Sequence, residues 1–193
     1  MKKLIYTLLI VFALGLVFSG CATPPKEDMD KAEAAVTRAE NDVDAVNYAP
    51  NALLRAREAL NKMNSEANAK RYDAAKNYAA EAIANAEKAI SDGKAGAARA
   101  REEAVSLLNS LAGPLSDTAN SLNAARNVKG IQLDFNALST DLGRANGTYD
   151  DARRSLQGND YKDAVAKGQN VRSILADINS RISNATIATS RKQ

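Results

Sequence analysis

The stretch Tyr72–Ile90, YDAAKNYAAEAIANAEKAI, decides the fold class, because small and apolar residues recur in it at alternate spacings of three and four. This spacing places them on one face of an amphipathic α-helix. Most of them are alanine, which has the highest helix propensity and allows two helix axes to approach closely. The sequence therefore predicts a tightly packed helix whose seam consists of Tyr72, Ala75, Ala79, Ala82, Ala86 and Ala89, widened by Ile83 and Ile90.

Two helices with the same spacing are predicted before this stretch. The first ends at Ala49-Pro50, because proline disfavours helical conformation in the residue before it. Asn51 is then the predicted N-cap of the second helix, and a polar break at 68–71 separates that helix from Tyr72. The predicted seams are Ala32, Val36, Ala39, Val43 and Val46 in the first helix, and Leu53, Ala56, Leu60, Met63 and Ala67 in the second.

The helical pattern continues downstream with several expected interruptions. Segment 92–96 contains two glycines and predicts a C-cap and a bend, although its alanine-rich flanks are also compatible with a continuous helix. Gly113-Pro114 predicts a firm break. After a helix at 115–128, two further seams are separated by turn residues at 158–160. These seams are Leu142, Ala145, Tyr149, Ala152 and Leu156, and then Tyr161, Ala164, Gly168, Val171, Leu175, Ile178 and Ile182.

The two later seams repeat the two earlier ones 89 positions further along the chain. The shift places Leu53 on Leu142 and Tyr72 on Tyr161, and it preserves the 19-residue spacing between them. The seam of the first helix maps less well. Two interpretations stay open: a true repeat of a helical hairpin, as in a short solenoid, or the chance alignment that any two heptad-like hairpins give at some offset.

These patterns predict an all-α protein, an elongated antiparallel helical bundle composed of two stacked helical hairpin units. The N-terminal unit is expected at residues 29–112 and the C-terminal unit at 113–185, followed by a frayed tail at 186–193. A single elongated bundle is the alternative arrangement.

The N-terminus has the pattern of a bacterial lipoprotein signal. Residues 1–20 combine two lysines, a 15-residue apolar run too short to span a bilayer, and small residues at the end. Cys21, the only cysteine, is the predicted site of a palmitate-type lipid that anchors the mature chain. Segment 17–21, VFSGC, resembles the lipobox of bacterial lipoproteins, with Phe18 where leucine is usual. The alternative is a plain signal peptide and a chance cysteine. Residues 21–28, which include two prolines, predict a lipidated tether.

A longer resemblance lies in residues 30–94, about a third of the chain. Tyr48-Ala49-Pro50 stands between two helices, residues 56–60 are AREAL, and residues 71–75 are RYDAA. On these motifs the segment resembles the alanine-rich helical domain of unknown function in small Gram-negative envelope lipoproteins, relatives of which sometimes occur beside OmpA-like peptidoglycan-binding proteins. The resemblance implies a periplasm-facing helical domain without an established catalytic residue.

The composition excludes several kinds of chemistry. The 193 residues contain no histidine and one cysteine, which excludes the common zinc sites and histidine-activated nucleophiles. The sequence contains neither a glycine-rich phosphate loop nor an EF-hand pattern. After removal of residues 1–20 the chain has 24 basic and 23 acidic residues, a balance that does not favour nucleic acid binding. We therefore expect no enzymatic activity, cofactor, metal site or nucleic acid partner.

The function expected from these observations is that of a membrane-anchored envelope lipoprotein acting as a non-catalytic helical scaffold or protein-interaction module. Ala22, rather than aspartate, follows Cys21, which favours the outer membrane in enteric-type sorting. The expected orientation is toward the periplasm, with surface exposure left open. The expected partner is an envelope protein, and peptidoglycan-associated proteins are among the candidates. The alternative is a small-ligand or glycan-binding lipoprotein with a crevice between helical hairpins. Tyr72 and Tyr161 are candidates for capping the hairpin cores or for contacting a ligand.

Overall fold

The structure is a computed structural model that describes residues 23–191, and in that range it contains six helices and no strand. The predicted all-α helical bundle is therefore confirmed. The predicted signal peptide and Cys21 lie outside the described residues, as do residues 192–193. The helices are α1 (Lys26–Glu40), α2 (Val43–Tyr48), α3 (Pro50–Asn68), α4 (Tyr72–Arg126), α5 (Phe135–Gln157) and α6 (Tyr161–Ser190).

The chain divides into two compact units between Lys94 and Ala95, inside α4. The first unit contains α1, α2, α3 and the beginning of α4. Alanine dominates its core, so these helices pack around side chains of a single methyl group. The buried core residues are Ala32, Ala35, Val36, Ala39, Ala45, Ala49, Ala52, Leu53, Ala56, Ala59, Met63, Ala79, Ala82, Ala86 and Ala89.

Two contacts determine the direction of α1 relative to α4. Near the beginning of both helices, Asp28 Oδ2 lies 3.7 Å from Lys76 Nζ. Further along, Gly93 of α4 lies against the backbone of Ala45 in α2, the helix that follows α1. The two helices therefore run parallel, and α3, which a three-residue turn joins to α4, runs antiparallel to both.

The second unit contains the rest of α4 together with α5 and α6, and it repeats this up-down-up order. Gly168 of α6 packs against Leu107 of α4, and Asn179 Nδ2 donates to Thr118 Oγ1 at 2.9 Å, so α4 and α6 run parallel. The core side chains are larger than in the first unit. They are Leu107, Leu108, Leu111, Leu115, Leu122, Ala125, Leu138, Ala145, Ala152, Val171, Ile174, Leu175, Ile178 and Ile182.

The α3–α4 turn and the α5–α6 turn share one backbone geometry. Lys70 and Asn159, which are 89 positions apart, have φ angles of 57° and 63°. The Lys70 amide donates to the Ala67 carbonyl, and the Asn159 amide donates to the Leu156 carbonyl in the same way. The ends of the flanking helices also coincide after the same shift. The register predicted from the seams is therefore present in the backbone as well.

Burial follows this register along the third helix of each unit. Positions 75, 79, 82, 86 and 89 of α4 are buried, and so are the positions 89 residues later, 164, 168, 171, 175 and 178 of α6.

The first helix of the first unit is α1, and the first helix of the second unit is the part of α4 after Lys94. These two align when residue numbers are shifted by 86 rather than 89. Ala32, Val36 and Ala39 of α1 match Thr118, Leu122 and Ala125 of α4, all of which are buried. The three-residue difference lies in the segment that joins the first helix to the second, which is why the 89-residue shift failed there.

Both ends of the described chain are more helical than predicted. The helix α1 begins at Lys26, inside the predicted tether, and Glu27 and Asp28 in its first turn interact favourably with the positive end of the helix dipole. The helix α6 continues to Ser190, through most of the predicted frayed tail, and the Thr186 hydroxyl donates to a carbonyl one turn earlier.

The predicted first helix is wrong in its second half. The chain breaks at 41–42, and the Asp42 side chain accepts a hydrogen bond from the Ala45 amide at 2.8 Å, which starts α2. This restart rotates the apolar stripe so that Ala45 is buried, while the predicted seam residues Val43 and Val46 are 71% and 45% exposed. The predicted Asn51 N-cap is also wrong, because Pro50 occupies the first helical position, where its fixed φ is favourable.

The firm break predicted at Gly113-Pro114 is wrong, and at 92–96 the alternative of a continuous helix holds in place of the bend, since α4 runs through both sites to Arg126. Segment 92–96 stays helical, and Gly93 is buried against α2. At the second site Leu111 and Leu115 are buried on either side of Pro114 and continue the apolar stripe. Burial of two leucines contributes roughly as much free energy as the approximately 3 kcal/mol that an internal proline costs.

Candidate interaction surfaces

An open groove of about 600 Å³ lies at the end of the first unit where α1 and α4 begin. It has apolar surface from two prolines and a tyrosine ring, and both basic and acidic side chains on its walls. The chain enters it from Thr23, two residues after Cys21. The lining residues are Thr23, Pro24, Pro25, Lys26, Glu27, Asp28, Tyr72, Asp73 and Lys76.

Tyr72 and Tyr161 occupy equivalent positions, the first residues of α4 and α6, and both are half-buried. Tyr72 lines the groove described above. The Tyr161 hydroxyl donates to Asn159 Oδ1 at 2.7 Å, within its own turn. The two tyrosines thus share a backbone position and differ in surroundings.

A second groove, of about 310 Å³, lies between α1 and α4 in the first unit. Ala34, Ala35 and Ile83 give it apolar surface, and charged residues border it. One of these, Lys31, donates to Glu27 Oε1 at 2.6 Å, and this hydrogen bond holds the pKa of the Glu27 carboxyl below its ordinary value. The remaining bordering residues are Arg38 and Glu87.

Three large apolar side chains are exposed in a twelve-residue segment of the first unit, residues 43–54. Val43 and Val46 lie on α2 and Leu54 lies early on α3, and Leu54 is 52% exposed while its neighbour Leu53 is 3% exposed. Contiguous exposed apolar patches are typical of protein contact surfaces, which makes these three residues candidates for one. The sequence pattern did not indicate the two valines, because their spacing fits a buried seam.

A polar cluster links α5 to α6 in the second unit. Ser155 Oγ donates to Asp163 Oδ2 at 2.5 Å and accepts from Lys167 Nζ at 3.0 Å. Lys167 also forms an ion pair with Asp163. The hydrogen bonds from Lys167 and Ser155 lower the pKa of the Asp163 carboxyl.

This cluster resembles a serine–lysine nucleophile in composition but differs from one in charge. A lysine activates serine only as a neutral amine that can accept its proton. Here Lys167 Nζ donates to Ser155 Oγ and pairs with Asp163, and the serine hydroxyl donates to that carboxylate and not to the lysine nitrogen. The cluster therefore stabilises the α5–α6 hairpin and is not arranged to activate Ser155. The four-residue spacing of Asp163 and Lys167 was the one sequence signal for it.

Acidification is expected to weaken this hairpin. A carboxyl whose pKa is lowered on folding stabilises the folded state fully when the pH is above the carboxyl's ordinary pKa. This stabilisation is lost as the pH falls through the lowered pKa. For Asp163 the ordinary value is 3.8, so the loss occurs below that pH. Thermal unfolding followed by circular dichroism between about pH 5 and about pH 2.5 tests this prediction.

The matched variant is Asp163→Asn, which keeps the shape of the side chain and removes its titration. Its unfolding temperature should be lower than wild type at about pH 5, and the two should converge at the acid end. Parallel curves across the whole range would contradict the assigned role of the ion pair.

Among the helices of residues 23–191, none combines the length and the apolar character that a membrane span requires, and within the same residues acidic side chains form no group of three or more that could hold a metal ion.

Residues 27–105 match the family model of a domain of unknown function, DUF4398. The match covers the helices of the first unit and continues into α4 beyond Lys94. No curated protein and no solved structure shows significant similarity to the chain.

Proposed function

We propose that the protein is an outer-membrane lipoprotein, anchored by a lipid on Cys21, whose helical units act as a non-catalytic interaction scaffold facing the periplasm. The observation that carries the proposal is the closeness of a folded helix to a lipobox-like cysteine. The helix α1 begins at Lys26, five residues after Cys21. Five residues span at most about 18 Å, so the lipid would hold the first unit near the membrane surface.

The helical units supply the scaffold. The polar cluster of Ser155, Asp163 and Lys167 forms a contact between α5 and α6. The first unit presents an exposed surface to a partner, and this surface includes Val43, Val46 and Leu54. Apolar side chains that become buried in an interface contribute free energy through the apolar area they remove from water. These residues support an envelope protein as the partner.

The anchor is tested by Cys21→Ser, which is expected to abolish incorporation of labelled palmitate completely. No other cysteine in the chain can form the thioether. The matched control is Cys21→Ser combined with Ser65→Cys, which restores one thiol at an exposed position of α3. That chain should remain unlabelled, because the lipid is attached only at the lipobox. Label on either variant would contradict the lipoprotein proposal.

The scaffold is tested by placing a photo-crosslinking amino acid at position 54 or position 53 and irradiating intact envelopes. Leu54 is exposed and Leu53 is buried beside it. Position 54 should give a discrete adduct with an envelope protein, and position 53 should give none. The same background at both positions would contradict a partner surface on this face of α3.

A further inference from the structure

We propose that the Tyr72 end of the first unit lies against the phospholipid headgroups of the membrane, with Lys26 and Lys70 on the lipid phosphates. The inference rests on the lipid anchor proposed above and adds an orientation to it. The surface that this end contacts is that of the bilayer into which the Cys21 lipid inserts.

Chain connectivity identifies this end of the unit. Thr23 lies two residues after Cys21, so their Cα atoms are at most about 7 Å apart. Thr23 also lines the groove that contains Tyr72. A lipid on Cys21 would therefore bring that groove to the level of the headgroups.

The α3–α4 turn is at the same end. The Asp28–Lys76 contact of 3.7 Å places the start of α4 beside the start of α1. The turn, residues 69–71, immediately precedes α4 and contains Lys70, which is exposed. Because α1 and α4 run parallel, the other end of the unit, where α2 and Tyr48 lie, is about 30 Å away, which is the helical rise from Tyr72 to Gly93.

The side chains at this end suit a headgroup layer. Tyr72 is half-buried, and tyrosine favours membrane–water interfaces because its ring is apolar and its hydroxyl is polar. Lys26 and Lys70 are exposed cations, which anionic lipid surfaces attract.

Three of the nearby carboxylates are paired with cations other than Lys26 and Lys70, while Asp30 and Asp73 are exposed. Glu27 pairs with Lys31, Asp28 with Lys76 and Glu66 with Arg71. Asp73 lies in the first turn of α4, where the helix dipole favours a negative charge. The attraction is therefore expected from local contacts of the two lysines with phosphates and not from a net charge of this end.

The sequence contains no tryptophan, so Tyr72→Trp gives the chain a single fluorescent reporter at this end. Tyr48→Trp is the matched control, since Tyr48 is also half-buried and lies at the opposite end of the same unit. The lipidated full-length chain is reconstituted into vesicles of phosphatidylethanolamine and phosphatidylglycerol in a ratio of about 3:1, a choice that supplies anionic phosphates. A nitroxide on a fraction of the headgroups serves as quencher.

Indole emission from the Tyr72→Trp chain should fall about twofold when the nitroxide lipid is included, because an aromatic ring at the interface lies at the level of the headgroups. Emission from the Tyr48→Trp chain should not change, because contact quenching acts only at close range. Adding Lys26→Gln and Lys70→Gln to the Tyr72→Trp chain should restore part of the emission, because the lipid on Cys21 still holds the groove near the headgroups. Equal quenching of the two reporters, or stronger quenching at position 48, would overturn the orientation. Quenching that the two lysine changes leave unaltered would overturn the phosphate contacts.

Sedimentation with the vesicles separates this proposal from the proposed anchor. If the wild-type chain fails to sediment, the lipoprotein function itself is wrong. If it sediments and the quenching pattern is absent, only the orientation is wrong.

Discussion

Gly93→Ala is expected to lower the free energy of unfolding by about 1 to 2 kcal/mol, although alanine is the better helix former. A Cβ atom at position 93 would lie 2.5 Å from the Ala45 amide nitrogen and 2.6 Å from the Asp44 carbonyl carbon. Both are backbone atoms, so relief requires α2 to move away from α4. Overpacking of this kind costs about 1 to 3 kcal/mol or more, and the helix-propensity gain of about 1 kcal/mol offsets only part of it.

Gly147→Ala is the matched control, because Gly147 lies in the interior of α5 and a Cβ there would have no neighbour within 4 Å. This variant should gain about 1 kcal/mol from helix propensity alone. Urea unfolding of both variants, followed by circular dichroism, measures the difference. Stabilisation by Gly93→Ala similar to that by Gly147→Ala would mean that α2 does not pack closely on α4.

The fold class was predictable because the alanine-rich seams satisfy helix propensity and helical periodicity together. The seam from Ala75 to Ala89 is buried as predicted, and the polar break before Tyr72 is present. The hairpin register was predictable for the same reason, since a seam shifted by one residue would expose its alanines.

The errors arose where tertiary contacts override local signals. Glycine and proline at 93 and 114 are helix breakers by propensity, but close packing of Gly93 on α2 and burial of the leucines beside Pro114 keep α4 continuous. Conversely, Val43 and Val46 continue the spacing of the first seam, but the Asp42 cap restarts the helix and exposes them. A periodic pattern cannot report such a restart, because the cap changes the helix phase without changing the spacing.

The candidate surfaces were less predictable than the core. Tyr72 was identified from its place at the start of a helix, but its neighbours in the groove, such as Pro25 and Lys76, come from segments about fifty residues apart. Only the parallel arrangement of α1 and α4 brings them together.

The two units share a register but differ in the size of their core side chains. At equivalent positions we therefore expect a larger side chain to destabilise the first unit and a smaller side chain to destabilise the second. Ala86 in the first unit and Leu175 in the second are 89 residues apart and both buried. Ala86→Leu should lower the free energy of unfolding by about 3 kcal/mol through overpacking. Leu175→Ala should lower it by about 2 to 5 kcal/mol through the cavity it leaves.

Ala84→Leu is the control for the first change, because Ala84 is exposed on the same helix and its substitution should alter stability by less than about 0.5 kcal/mol. Denaturant unfolding of the three variants measures these changes in the free energy of unfolding. If Ala86→Leu were tolerated as well as Ala84→Leu, the first unit would have room for a leucine seam like that of the second. Its alanines would then reflect helix propensity alone. If both core changes are costly, the repeated backbone register holds two different interhelical spacings, and neither core sequence can replace the other.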